Sequence, residues 1–264
     1  MSALASILSI SPLLDEIKQQ TVREIESLGR APRLALLRCV SDPGSSFMEK
    51  QIRAACRDTG VECWFMELPS YLAEDVLVKA VHQIGLDVSV DAIGLLCPPQ
   101  YNKSLLGSAI GEQKDINGYC RTSSARFLPC FDSAVSQILD YFQIVCDGKK
   151  ILFLNYNKAE HYILRRILGI RGGEVVVRED SSPEPDFVPE LVFTAGPLEK
   201  VPSSILSSAA HIFSVAVGPY GEPSYTEDAG IKDAASAEIL PVPGGVDSVI
   251  PYIYTLNTVK AAKL

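Results

Sequence analysis

The chain has 264 residues, of which 47% are hydrophobic and 21% charged, the balance of a folded globular protein rather than a disordered one. A formal net charge of -8 argues against a general nucleic-acid surface, because phosphate binding needs clustered Lys and Arg. No run reaches the roughly 18 apolar residues of a membrane span, so no membrane partner is expected.

Met1 to Leu14 is apolar and Ser-rich, and the first basic residue is Lys18, which fits neither a secretory signal nor an Arg-rich transit peptide. The cytoplasm is the default compartment, with a mitochondrial location left open. Leu14, Ile17, Thr21, Ile25 and Leu28 recur at helical spacing and predict an amphipathic helix over 13–28, ended by Gly29 and Pro32. Leu34 to Val40 reads as a buried strand. The turn Asp42-Pro43-Gly44 follows, and Ser45 or Ser46 is the expected cap of a helix whose Met48, Ile52, Ala55 and Cys56 share a face. Val61 to Met66 is a second strand; Val76, Leu77, Ala80, Val81 and Ile84 mark a helix; Ala92 to Cys97 is a third strand, stopped by Pro98-Pro99. Strand and helix alternate, as in a parallel sheet covered by helices.

Lys114-Asp115-Ile116-Asn117-Gly118 is a polar turn signal, and the domain break is expected near Pro129. Pro129 opens a helix lined by Val135, Ile138, Leu139 and Phe142 and ended by Gly148. A second series follows: strand Ile151 to Leu154, helix Lys158 to Leu168, strands Val175 to Val177 and Leu191 to Thr194, helix Pro202 to Ala209 and strand Ile212 to Val217. This order is Rossmann-like. Ser181 to Pro189 reads as a surface loop, Tyr220 to Ala237 as a long polar stretch, and Val249 to Lys263 as a final helix or helix pair.

The 7 cysteines, Cys39, Cys56, Cys63, Cys97, Cys120, Cys130 and Cys146, form no Cys-x-x-Cys pair and read as reduced core thiols. The 3 histidines lie far apart, so no metal site is expected. Pro241-Val242-Pro243-Gly244-Gly245-Val246 removes two amide donors and then strips away two side chains. Such a stretch is either a tight connector into the last helix or a backbone wall against a flat ligand.

Five segments match one family in order. They are Pro43-Gly44-Ser45, Lys114 to Gly118, Pro129-Cys130, Thr194-Ala195-Gly196 and Pro241 to Val246. On these the chain resembles the bifunctional methylenetetrahydrofolate dehydrogenase/cyclohydrolases, the FolD family of one-carbon metabolism. The resemblance implies an α/β protein of two domains flanking a cleft, an N-terminal three-layer α/β domain and a C-terminal Rossmann-like domain. The first would be the folate-binding-type catalytic domain over 1–130, with a helix over 247–264 returning to it. The second would be the NAD(P)-binding domain over 131–246. Such proteins oxidise methylenetetrahydrofolate with NAD or NADP and hydrolyse the methenyl product. Asp115, Asn117, Gly244 and Gly245 fall where the family contacts its folate.

The same alignment exposes departures. The family's first-domain helix carries Tyr and, four residues later, a Lys that moves a proton; those positions hold Met48 and Ile52. Lys50 lies about 200° round the helix from Ile52. Leu95-Leu96-Cys97-Pro98-Pro99-Gln100 stands for a Gln-Leu-Pro-Leu-Pro strand end, with the Gln displaced. Asn117 stands for the pterin-holding Asp, offering one acceptor and a donor instead of a carboxylate. Asp115 is retained, and stabilising its own turn is as good an account of it as ligand contact. No glycine lies between Gly148 and Gly169, where the family has a Gly-Arg-Ser phosphate loop; Leu154-Asn155-Tyr156-Asn157-Lys158-Ala159-Glu160 stands there. Asp-Val-Gly reads Ala216-Val217-Gly218, and Gly-Pro-Met-Thr reads Asp247-Ser248-Val249-Ile250.

The expectation is therefore a catalytically inactive family member, a pseudoenzyme without cofactor, acting as a structural or binding subunit with a protein partner or a second copy of itself. The alternative is a divergent active dehydrogenase that uses NAD or NADP, with Cys97, Gln100 or Lys103 in place of the missing acid. A third reading is a folate-binding sensor without cofactor. A tetrahydrofolate derivative is the expected ligand if the cleft is intact.

Overall fold

The computed structural model describes residues 6–39, 43–69, 72–97, 100–120, 125–154, 162–178, 187–195, 201–215, 221–223 and 237–264. The chain forms two compact units. One comprises Pro12–Ala134, Pro219–Glu222 and Val249–Leu264; the other comprises Met1–Ser11, Val135–Gly218 and Pro223–Ser248. Among the described residues, no helix is long and apolar enough to cross a membrane.

The Pro12–Ala134 unit is built on three parallel strands, β2 (Arg33–Arg38), β3 (Glu62–Glu67) and β4 (Ala92–Leu96), in the order β3-β2-β4. β2 is central, and Leu34, Ala35, Leu36 and Leu37 are all fully buried, which explains its unbroken apolar run. The pleat sends alternate residues to opposite faces. Ala35, Leu37, Cys39, Ile93, Leu95 and Cys97 pack with Leu77 and Val81 of α3 (Glu74–Gly85) and Leu106 and Ile110 of α4 (Lys103–Ile110). Arg38 points to the other face and reaches Glu49 of α2 (Pro43–Thr59). Gly94, on that same face, lies beneath the Tyr254 ring of α8 (Val246–Ala261). The result is helix, sheet, helix. α1 (Ser11–Leu28) buries Leu13, Ile17 and Thr21, and ion pairs Lys18–Asp58 and Lys263–Glu24 tie it to α2 and to the residues after α8.

The other unit holds six parallel strands in the order β6-β5-β7-β8-β9-β1. They are β1 (Ser6–Ile7), β5 (Lys150–Leu154), β6 (Glu174–Arg178), β7 (Leu191–Thr194), β8 (His211–Ser214) and β9 (Glu238–Leu240). Leaving β1 aside, this is the 2-1-3-4-5 order of doubly wound sheets, with the winding reversing between β5 and β7. Phe153, Phe193 and Phe213 stand in register on neighbouring strands; the first pair stacks at 4.7 Å and the second meets edge-on at 5.4 Å. Leu152, Val192 and Ile212 take the opposite face, where they meet Ile205 and Leu206 of α7 (Ser203–Leu206). α5 (Cys130–Tyr141) and α6 (Tyr162–Ile170) complete the described helices.

Several boundaries differ from expectation. α2 begins at Pro43, ahead of both serines, because a proline preset near helical φ suits the first helical position. α5 ends at Tyr141 rather than near Gly148: Gln143 turns left-handed at φ 54°, and the Ile144 N–H closes onto the Leu139 carbonyl at 2.9 Å. The last segment is a single helix that starts at Val246 and carries Pro251. α7 is one turn, and the expected helix over 158–168 is described from Tyr162 to Ile170, its start lying outside the described residues. β8 stops at Ser214. Most of the expected loops over 181–189 and 220–237 also lie outside. Sequence reading does not signal β1, β9 or α4. Two or three residues are too few to show a period, and α4 is announced only by Asn102, whose Oδ1 accepts the Leu105 N–H at 3.2 Å.

Helix and sheet approach closely at Gly94 under Tyr254, where an added Cβ would stand 2.9 Å from Cε1 and 3.2 Å from Leu36 Cδ1. Neither neighbour is free to retreat in a filled core. Gly94→Ala is expected to lower stability by about 1–3 kcal/mol in urea unfolding.

Candidate functional site

α2 presents Ser45, Met48, Glu49, Ile52, Ala55, Cys56 and Thr59 to the protein interior. Met48 and Ile52, one turn apart, are both 0% exposed. Neither side chain gains or loses a proton. Lys50 is exposed on the far side of the helix. The buried charges of this face are matched to each other. Glu49 accepts from Arg53 at 2.7 Å and from Arg38 at 3.4 Å, and Arg38 also pairs with Glu67 at 3.0 Å. The segment 221–222 covers the start of this face. Gly221 is buried, with its Cβ position 3.6 Å from Met48 Cε and 2.7 Å from Ile250 Cδ1. The Glu222 carboxylate lies on Gly44 in the first turn of α2, where the helix dipole favours negative charge.

The 114–118 turn runs along the outer edge of β4. Lys114 O accepts the Ile93 N–H at 2.8 Å. The Asn117 amide serves the next outward-facing residue: Oδ1 accepts the Leu95 N–H at 2.7 Å, and Nδ2 donates to Leu95 O at 3.3 Å. Nδ2 also donates to the Tyr254 hydroxyl at 2.7 Å. Asn117 is thus engaged on acceptor and donor alike, and it is buried. A carboxylate at this position could not make either donation. Asp115 Oδ2 accepts the Cys120 N–H at 2.6 Å, a bond internal to the loop. Asn257 Nδ2 and Cys130 Sγ donate to Ile116 O. Burial pushes the Tyr254 phenol well above its ordinary range, the neighbouring Cys130 adds to this, and the Asn117 hydrogen bond works against it.

Cys97 points into the α3/α4 core, where burial pushes its thiol up to about 11. Gln100 is exposed, and Lys103 Nζ sits 5.3 Å from the centre of the Tyr119 ring. Among the described residues no group of three His, Cys, Asp or Glu is placed to hold a metal ion.

Gly244 and Gly245 belong to the Val135–Gly218 unit. Gly244 has φ +101°, a conformation that favours glycine. Gly245 is held so near the Pro241 carbonyl that a Cβ would collide with it. Both amides point at Asp247: Oδ1 accepts from Gly244 at 3.1 Å and from Gly245 at 3.0 Å. The loop after β5, where dinucleotide phosphate would be held in the family, lies outside the described residues. Asp247 reads from the sequence only as a departure from the family's Gly-Pro-Met-Thr, although an acidic residue in the first turn after Gly-Gly is also a capping signal. Nothing local signals Tyr254 or the Arg38–Glu49 pair.

Asn117→Ala would leave the Leu95 N–H without its partner and is expected to cost about 1–3 kcal/mol in urea unfolding. Asn117→Asp would set a carboxylate against the Leu95 carbonyl, raising its pKa in the folded state above the unfolded value of about 3.9. The folded protein then holds the proton more tightly. The Asp variant should lie nearest to wild-type stability at about pH 4 and fall progressively behind as pH rises to neutrality.

Residues 8–117 match the family model described as "Tetrahydrofolate dehydrogenase/cyclohydrolase, catalytic domain". The bifunctional protein FolD of Alkaliphilus metalliredigens is 25% identical over 280 residues, covering 98% of both chains. Among solved structures, the FolD methylenetetrahydrofolate dehydrogenase/cyclohydrolase of Campylobacter jejuni superposes with a TM-score of 0.84 at 22% identity, over 98% of this chain and 99% of that one. The Trypanosoma brucei methylenetetrahydrofolate dehydrogenase-cyclohydrolase, complexed with NADP and an inhibitor, gives 0.79 at 21%, over 98% and 97%. The family-model match over 8–117, this full-length similarity and the shared two-domain α/β Rossmann-like fold make the chain similar to the FolD family at low identity.

Proposed function

We propose that this chain is a catalytically silent FolD-family protein that serves as a structural or binding subunit. One observation carries the reading: Met48 and Ile52, which the resemblance aligns with the family's Tyr and proton-moving Lys, are fully buried. General acid-base chemistry needs a group that changes protonation within reach of the substrate, and a thioether or alkyl chain does not. The engagement of Asn117 with Leu95 and Tyr254, and of the Gly244 and Gly245 amides with Asp247, supports the same reading. In this reading Asp115, Asn117, Gly244 and Gly245 hold the fold rather than a pterin, and no dinucleotide is required. The partner is a second copy or another protein, and β3 ends its sheet with Trp64 exposed on it.

The match of the catalytic-domain model over 8–117 favours one competing reading, a divergent methylenetetrahydrofolate dehydrogenase using NAD or NADP. Two measurements separate them. Incubated with methylenetetrahydrofolate and either dinucleotide, the protein should produce no methenyltetrahydrofolate absorbance. Turnover that is lost on Lys103→Ala would overturn the proposal. In thermal unfolding, neither folates nor dinucleotides should shift the midpoint, whereas a ligand at 100 times its Kd would add about 2.7 kcal/mol. A shift with folate alone would point to a sensor. Light scattering of the purified chain reads whether it pairs with itself.

A further inference from the structure

α2 ends at Thr59, and the chain turns through Gly60, at φ +86°, and Val61 into β3. The Cys56 carbonyl accepts the N–H of Gly60 at 2.9 Å and of Val61 at 3.1 Å, which folds the start of β3 back onto the last turn of α2. The pleat then sends Cys63, Phe65 and Glu67 to one face. That face is the one α2 covers: the guanidinium groups of Arg38 and Arg53 lie 5.2 and 5.6 Å from the centre of the Phe65 ring. Cys63, in register with buried Leu34, therefore faces the last turns of α2, whose buried side carries Cys56, with Arg53 and Glu49 near it. Both are free cysteines; Cys56 is 1% exposed and Cys63 is half-buried.

The two thiols are unequal. The hydrogen bond from Cys56 lowers the Cys63 thiol below its ordinary value; burial opposes this and the Arg53 charge assists it. Cys56, engaged by Cys63 and buried, is pushed far up. This is the asymmetry of an attacking thiolate and a resolving thiol. Cys39 and Cys97, the other neighbouring pair, are both buried in the α3/α4 core and pushed up to about 12 and about 11.

We propose that Cys56 and Cys63 form an oxidative modification site, closed to a disulfide by hydrogen peroxide and reopened by a dithiol. The Cys63 thiolate attacks one peroxide oxygen, the O–O bond breaks, and the departing hydroxide takes up a proton to leave as water. The resulting sulfenic acid is attacked by Cys56 as its thiol proton is lost; the S–S bond forms and a second water departs. Two electrons pass from the thiol pair to one peroxide. A dithiol reverses the bond by exchange and becomes a disulfide itself.

The test treats the whole folded chain with hydrogen peroxide, alkylates the remaining thiols under denaturing conditions and digests with trypsin. Cleavage after Arg53, Arg57 and Lys79 separates the two cysteines, so the bond joins the peptide 54–57 to the peptide 58–79. The expected result is that linked pair, with two of the 7 thiols lost to alkylation and recovered by dithiothreitol, while every thiol remaining in Cys63→Ser stays open to alkylation throughout. The wild-type map alone decides the matter if the variant folds poorly. Sulfinic or sulfonic acid at Cys63 without the linked peptides, a Cys39–Cys97 link instead, or no oxidation at all would overturn the assignment.

Discussion

The outer edge of β4 must be closed, and the Asn117 amide closes it. A strand at the edge of a buried sheet presents N–H and C=O groups that cost free energy unless paired. Lys114 O takes one of these groups on Ile93, and the amide of Asn117 takes both on Leu95. The same amide reaches the Tyr254 hydroxyl, so one side chain ties the sheet to α8. Tyr254 can lie there because Gly94 has no side chain. Strand edge, turn and helix are consequently one assembly, and it needs a side chain that both donates and accepts.

The Pro-Gly-Gly stretch repeats the principle with other groups. Its glycines are required by a left-handed φ and by close approach to the Pro241 carbonyl, and their amides are taken by Asp247 two and three residues on. An acidic side chain in the first turn of a helix is favourably placed against the helix dipole. Backbone donors that a ligand might have used are satisfied within the chain itself.

On α2 the inward face is given to packing. A proton-moving pair must stay partly hydrated and charged, whereas Met48 and Ile52 are wholly buried. Burying side chains of this kind contributes about 1.5–3 kcal/mol each. The buried Arg38–Glu49 pair is a different matter, since desolvation offsets much of its attraction. Its carboxylate is further held by Arg53 and its guanidinium by Glu67, which leaves neither charge alone.

The order of strands and helices, the shared face of Met48, Ile52, Ala55 and Cys56, and the family could all be read from the residues in line. Period and turn chemistry act over a few neighbours, and an unbroken apolar run such as Leu34 to Leu37 already states that both faces of its strand are covered. The sequence also determined that Met48 and Ile52, on the buried face of α2, have no proton to give or take. It could not say that β1 would lie beside β9, that Asn117 would find Leu95 and Tyr254, or that Cys63 would turn toward Cys56. Those pairings join residues brought together only by the packing of whole elements, and no local pattern encodes the identity of a distant partner. Tertiary structure alone decided which polar groups are already satisfied, because satisfaction is a property of the pair and not of either residue.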